Sequence, residues 1–386
     1  MRAGATCLIL LVFFGCGEGG DDLRADADPD AGSDPDAEVD AQIHPLELHS
    51  LGSVDLVAGQ ARLAFELPPD VRSLDLVLVE PTERHLLVVT DLRGPAGALV
   101  EATPAGWVPS NADFLLGPFP GAFYSPNRSV PIGAGVGALH APNAPGVALV
   151  GGPWTLEIGA VDFATEAPGE GPVEVTAWVG RGPAPSSGVL PVHLFFSEFS
   201  GLTAETAQAD PDFQAALGHL AQALAPTLTL EVASWQDVEA PADVPAEGGP
   251  DSPLHALLRQ NPQETGVAVF LVERLVTPFG TEIAGVAGGT PGPALTPHTG
   301  RSGVVVASGL PPAALGRTMA HEIGHFLGLF HPLEAGRFPD PLPDTADDDP
   351  HNLMAVGLSD AAPVLTPQQR AVLLSHPAVQ RSPGGF

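Results

Sequence analysis

Three histidines and a glutamate fall within eleven residues in "HEIGHFLGLFH", which opens at His321. His321 and His325 are four apart, so on a helix they leave one face a turn apart and can reach a single ion. Imidazole nitrogens at that spacing suit zinc, whose bonds to nitrogen are about 2.0 to 2.1 Å long. Glu322 stands beside the first histidine, where a general base for a metal-activated water belongs. Gly328 is placed to end the helix, because glycine takes a left-handed backbone cheaply, and the returning chain can offer His331 as a third ligand. Three protein ligands leave a fourth position open, as catalytic zinc requires. A structural site would be closed by a fourth ligand, usually cysteine. The bland alternative is a helix that carries histidines in a core or on a surface.

Such a helix needs a scaffold. It is predicted to begin near Pro311-Pro312, with Ser308 as the upstream cap. Before it, "VLPVHLFF", "LTLEVASW", "GVAVFLVERL", "IAGVAGG" and "SGVVVAS" read as strands, and "DPDFQAALGHLAQALA" and "SPLHALLRQN" as helices. That order predicts an α/β (α+β) region with a twisted mixed sheet over residues 189–380. Earlier runs such as "VRSLDLVLVE", "RHLLVVTDL", "GPWTLEIGAVDF" and "GPVEVTAWVG" alternate apolar and polar residues between Gly/Pro turns. They predict an antiparallel β-sandwich over residues 44–185, a contact module or a folding aid, in which the isolated His85 and His140 read as surface or edge residues.

With those residues in view, "HEIGHFLGLFH" resembles the metzincin zinc proteases. "LPDTADDDPHNLM", "IAGVAGGTPGPAL" and "LTPQQRAVL" are similar to the pappalysin-like branch. The resemblance covers residues 189 to the C-terminus. It implies a cleft under a twisted sheet, with Met354 forming a turn beneath the three imidazoles. It also implies a zinc endopeptidase acting on peptide or protein substrates. Several metzincin branches carry Tyr two residues after that methionine, whereas Val356 stands here. The pair "GPWTLEIGAVDF" and "GPVEVTAWVG" resembles the closing hairpin of jelly-roll accessory modules on secreted proteases. Asp340, Asp344, Asp347, Asp348 and Asp349 crowd the loop after His331 and suit either a calcium ion or solvent. His298 and His351 read as surface loop residues.

The N-terminus "MRAGATCLILLVFFGCGEGG" has the charged and apolar regions of an export signal, and Gly15-Cys16 resembles a bacterial lipoprotein cleavage site. Residues 1–15 are thus read as a signal peptide and Cys16 as a lipidated membrane anchor at the cell envelope; the alternative is a secreted chain. Residues 16–43 follow as an acidic tether, for "DDLRADADPDAGSDPDAEVD" holds nine acidic residues against one Arg and cannot offset its ordering entropy. The remaining cysteine, Cys7, lies in the signal, so the mature chain forms no disulfide. A net charge of -31, with 15 basic residues that are all Arg, excludes a general nucleic-acid binder. Two further functions compete with the protease. One is a surface lipoprotein whose sandwich binds a partner beside an inactive zinc region; the other is a zinc hydrolase for non-peptide amides.

Overall fold

A computed structural model of the chain describes residues 46–101, 127, 129–131, 133–144, 148–277, 279–334, 338–347, 349–356 and 363–381. The signal, Cys16 and the acidic tether lie outside the described residues. The protein is of mixed α/β type, mostly sheet with few helices. No helix of the described residues is long and apolar enough to cross a membrane.

Among the described residues nine strands come first: β1 (Glu47–Leu56), β2 (Gln60–Leu67), β3 (Val71–Val79), β4 (His85–Gly94), β5 (Gly97–Val100), β6 (Val130–Pro131), β7 (Val136–Ala141), β8 (Gly152–Asp162) and β9 (Gly171–Arg181). Eight of them form two four-stranded antiparallel sheets, in the orders β1-β9-β3-β7 and β2-β8-β4-β5. Alternation along each strand decides which side chains turn inward. Trp154, Leu156 and Ile158 of β8 meet Val173, Val175 and Ala177 of β9 in one apolar cluster that both sheets share. The expected β8–β9 hairpin is therefore wrong: the two strands belong to different sheets, and each pairs with earlier strands. Alternation identified both as strands but carries no information about partners.

His85 and His140 also depart from the surface reading, with His85 8% exposed and His140 fully buried. Each sits near a carboxylate, and that of Asp75 compensates His140 for lost water through a hydrogen bond, whereas His85 Nδ1 makes none. Asp75 is the cross-strand neighbour of His140, and Glu80 lies 3.4 Å from His85.

The second half contains β10 (Gly188–Ser197), α1 (Pro211–Leu224), β11 (Leu228–Val238), β12 (Asp243–Pro245), α2 (Pro253–Leu258), β13 (Val267–Val272) and β14 (Arg274–Val276). There follow β15 (Glu282–Ile283), β16 (Gly285–Ala287), β17 (Gly289–Thr290), β18 (Val304–Ala307), α3 (Pro312–Phe326), β19 (Leu333–Glu334), β20 (Phe338–Pro339), α4 (Pro367–Ser375) and β21 (Gln380–Arg381). Its main sheet runs β11-β10-β13-β18-β16, with β21 added to β10. The first four of these strands are parallel and β16 is antiparallel at the edge. Strands buried on both faces read as continuous apolar runs, as "VAVFLV" of β13 does. From β10, Leu190, Val192, Leu194 and Phe196 face α1 and α3, while Phe195 faces α2 on the other side. Asp210 caps α1 through the Phe213 amide at 2.8 Å, an interaction of about 1 kcal/mol.

The two halves interlock. Strand β6, from the first half, pairs with β17 of the second. Glu83 accepts hydrogen bonds from His255 at 2.8 Å and from Arg259. Arg301, 1% exposed, donates to the carbonyls of Gly288, Pro291 and, across the boundary, Val136. Burial pulls its guanidinium down to about 9.

Candidate metal centre

Helix α3 carries the first two histidines. Its N-terminal turn is set by proline, with Pro311 at the cap and Pro312 first in the helix, and no side chain caps it. The expected cap, Ser308, instead donates to the Ser200 carbonyl at 2.8 Å. Proline needs no amide partner at a helix start, so the missing cap costs little. The helix ends at Phe326, and Gly328 follows with φ of +103°, where a side chain would be strained. Its amide bonds the His325 carbonyl and that of Leu329 bonds the Gly324 carbonyl, which turns the chain back toward His331.

The turn brings the three imidazoles together. Nε2 of His331 lies 3.2 Å from Nε2 of His321 and 3.1 Å from Nε2 of His325. Each outer nitrogen of the helix pair faces a carbonyl: His321 Nδ1 donates to Leu353 at 2.9 Å and His325 Nδ1 to Leu329 at 2.8 Å. A carbonyl only accepts, so both Nδ1 atoms carry the proton and both Nε2 atoms present lone pairs. Burial, with the neighbouring His331 adding to it, holds the His321 imidazole down to about 3, so it is neutral. With His331 in the same tautomer, a third lone pair meets the other two, and a cation between them would hold all three. Tetrahedral zinc places neighbouring nitrogens about 3.3 Å apart, given its bond length, so the donor set fits such an ion. Among the described residues, these three are the only group of three or more His, Cys, Asp or Glu whose ligand atoms converge.

Glu322 is 5% exposed. Burial pushes its carboxyl up to about 8, against a backbone hydrogen bond from Ala287 of β16. The edge strand approaches so closely that a Cβ on Gly285 would lie 2.6 Å from Glu322 Cγ. Met354 is fully buried and lies under the helix, where a Cβ on Gly324 would come 2.6 Å from its sulfur. Its amide bonds Asn352 Oδ1 at 2.8 Å, and Asn352 exchanges two amide hydrogen bonds with Gln369, at 3.0 and 3.1 Å. Gln369 also closes the capping box of α4 with Thr366. Arg317 donates to the Pro350 and Asn352 carbonyls at 3.3 and 3.4 Å. The sequence offered Asn352 only as part of the "HNLM" resemblance, without its role, and gave no role to Gln369 or Arg317; "LTPQQ" with its Thr-x-x-Gln spacing was the available signal for Gln369.

The other candidates stand apart from this centre. His298 and His351 are exposed, as expected. Asp344 accepts from Thr366 and Gln368, which ties the loop to α4, while Asp349 and Asp340 accept from the His351 and Leu342 amides within the loop. Asp348 lies outside the described residues. Val356 is half exposed and offers no hydrogen-bonding side chain.

No protein-family model matches the chain, and no curated protein does. Among solved structures, metalloproteinase-II from Bacteroides fragilis aligns with 52% of this chain and 62% of its own, at 14% identity and a TM-score of 0.33. An acetyl xylan esterase from the rumen bacterium Butyrivibrio proteoclasticus aligns with 61% of this chain and 62% of its own, at 8% identity and a TM-score of 0.14. This chain thus spans less than two thirds of either. Likeness at that level leaves function to the geometry of the site.

Proposed function

We propose that the protein is a zinc-dependent endopeptidase of metzincin type, similar to the pappalysin-like branch. The observation that carries this reading is the convergence of three imidazole Nε2 atoms, two with their Nδ1 atoms tied to carbonyls, beside a buried glutamate. His321, His325 and His331 would hold the ion, which when bound supplies Lewis acidity to the scissile carbonyl and to water. Glu322 takes the proton from the attacking water and passes it to the leaving amine. Met354 forms the apolar floor beneath the imidazoles. Strand β16 ends the sheet order, and a peptide laid along it in extended form gains main-chain hydrogen bonds independent of its sequence.

In this reading residues 44–185 are an accessory β-sandwich and residues 189–380 the catalytic domain. Residues 1–15 direct export, Cys16 carries the lipid, and residues 16–43 are the tether that holds the enzyme off the cell envelope. The purified chain should cleave casein, lose that activity to a chelator and regain it with one equivalent of zinc. Stoichiometric zinc with no turnover on a broad peptide library would sink the endopeptidase reading.

The narrow gap at Gly285 offers a second check. Gly285→Ala puts a methyl where Glu322 sits, and a displacement of about 1 Å in a reacting group costs about 100-fold in rate. The variant should show that loss in kcat with zinc content unchanged; a normal kcat would mean that the edge strand yields instead.

A further inference from the structure

The geometry points to His140, a residue of the first half, as a positioning residue for the metal centre. It is fully buried, and its ring is fixed at both ends. Nδ1 bonds Asp75 Oδ1 at 2.6 Å, and Nε2 bonds Ser375 Oγ, the last residue of α4, at 2.9 Å. Ser375 in turn donates to the Val372 carbonyl at 2.8 Å. The His376 ring lies 5.4 Å from that of His140 and 6.1 Å from that of Phe326, so the clamp reaches the end of α3.

What the clamp holds is Gly328. A Cβ there would lie 3.3 Å from His140 Cδ2 and 3.6 Å from Val372 Cγ1, so the glycine is seated between a histidine of β7 and a valine of α4. Gly328 leads directly into Leu329, whose carbonyl orients the His325 imidazole, and three residues later the chain delivers His331. Groups that bond a ligating histidine directly change affinity by about 10- to 100-fold when lost, and His140, one step further out, should fall at or below the low end of that range. His140 thus acts on the centre through the backbone of the turn and touches no ligand. Val372 lines the other side of the same glycine, and Ser375 fixes the imidazole that faces it. A detachable contact module has no reason to place a doubly bonded, fully buried imidazole at that position.

This inference rests on the metal-binding reading, and the two fail in different ways. Zinc affinity of the full chain, measured by competition with a chromophoric chelator, and the visible spectrum of its cobalt(II) form report the centre without using activity. His140→Ala should weaken zinc binding by up to about 10-fold and change the cobalt spectrum. Ser375→Ala, which removes one end of the clamp, should move both in the same direction by less. Glu83→Gln disturbs a different contact between the halves and should lower the melting temperature while leaving affinity and spectrum as in the parent. Unchanged affinity and spectrum in His140→Ala, with only a lower melting temperature, would overturn the positioning role. If that variant fails to fold, unchanged values in Ser375→Ala overturn it. A parent chain that binds no stoichiometric zinc would instead defeat the metal reading itself.

Discussion

Replacing Glu322 with alanine should lower peptide cleavage by about 100- to 10,000-fold, the range that a positioned general base contributes. The residue neighbours the ligands without being one: Nε2 of each helix histidine faces His331, whereas Glu322 lies under the edge strand against Ala287 and Gly285. Zinc content should therefore stay at one equivalent. The fold should also survive, because the carboxyl's partner is the Ala287 amide and no ion pair among the described residues involves it. Measuring kcat, zinc content and melting temperature on the same preparation separates the outcomes. Full activity with full zinc would show that another group moves the proton. Loss of zinc would show that Glu322 belongs to the donor set.

His325→Ala should have the other large effect. It removes one of three nitrogens and should weaken zinc binding by more than about 100-fold, beyond the loss of any supporting hydrogen bond. It also strips the Leu329 carbonyl of its donor, and an unsatisfied buried polar group costs about 1 to 3 kcal/mol. The variant should emerge from dialysis with far less than one zinc per chain and with no measurable cleavage, and the metal-free form should melt lower than the metal-free parent. Retention of tight zinc would mean that the ion is held elsewhere.

The centre was legible because most of it is written locally. His321 and His325 are joined by helix periodicity, Gly328 by its backbone freedom, and His331 by the turn that follows. The strands of the main sheet were legible for a similar reason, since an unbroken apolar run such as that of β13 has few alternatives to burial on both faces. What stayed hidden depends on distance along the chain. His140 and Ser375 are separated by 235 residues, and nothing in "VGALHA" marks its histidine as a buried clamp. Arg301 likewise reads as a loop residue until three carbonyls from two halves of the molecule surround it. Strand partners were hidden too. Alternation tells a strand which side is inward, but not that β9 lies between β1 and β3 in one sheet and β8 between β2 and β4 in the other.

The pairing of Val130–Pro131 with Gly289–Thr290, together with the reach of Arg301 to the Val136 carbonyl, has a consequence for inheritance. A crossover in the gene between the codons for Arg181 and Gly188 would separate the two sides of every such contact. The halves must therefore be inherited together, since the second half alone would leave the buried Arg301 guanidinium short of an acceptor.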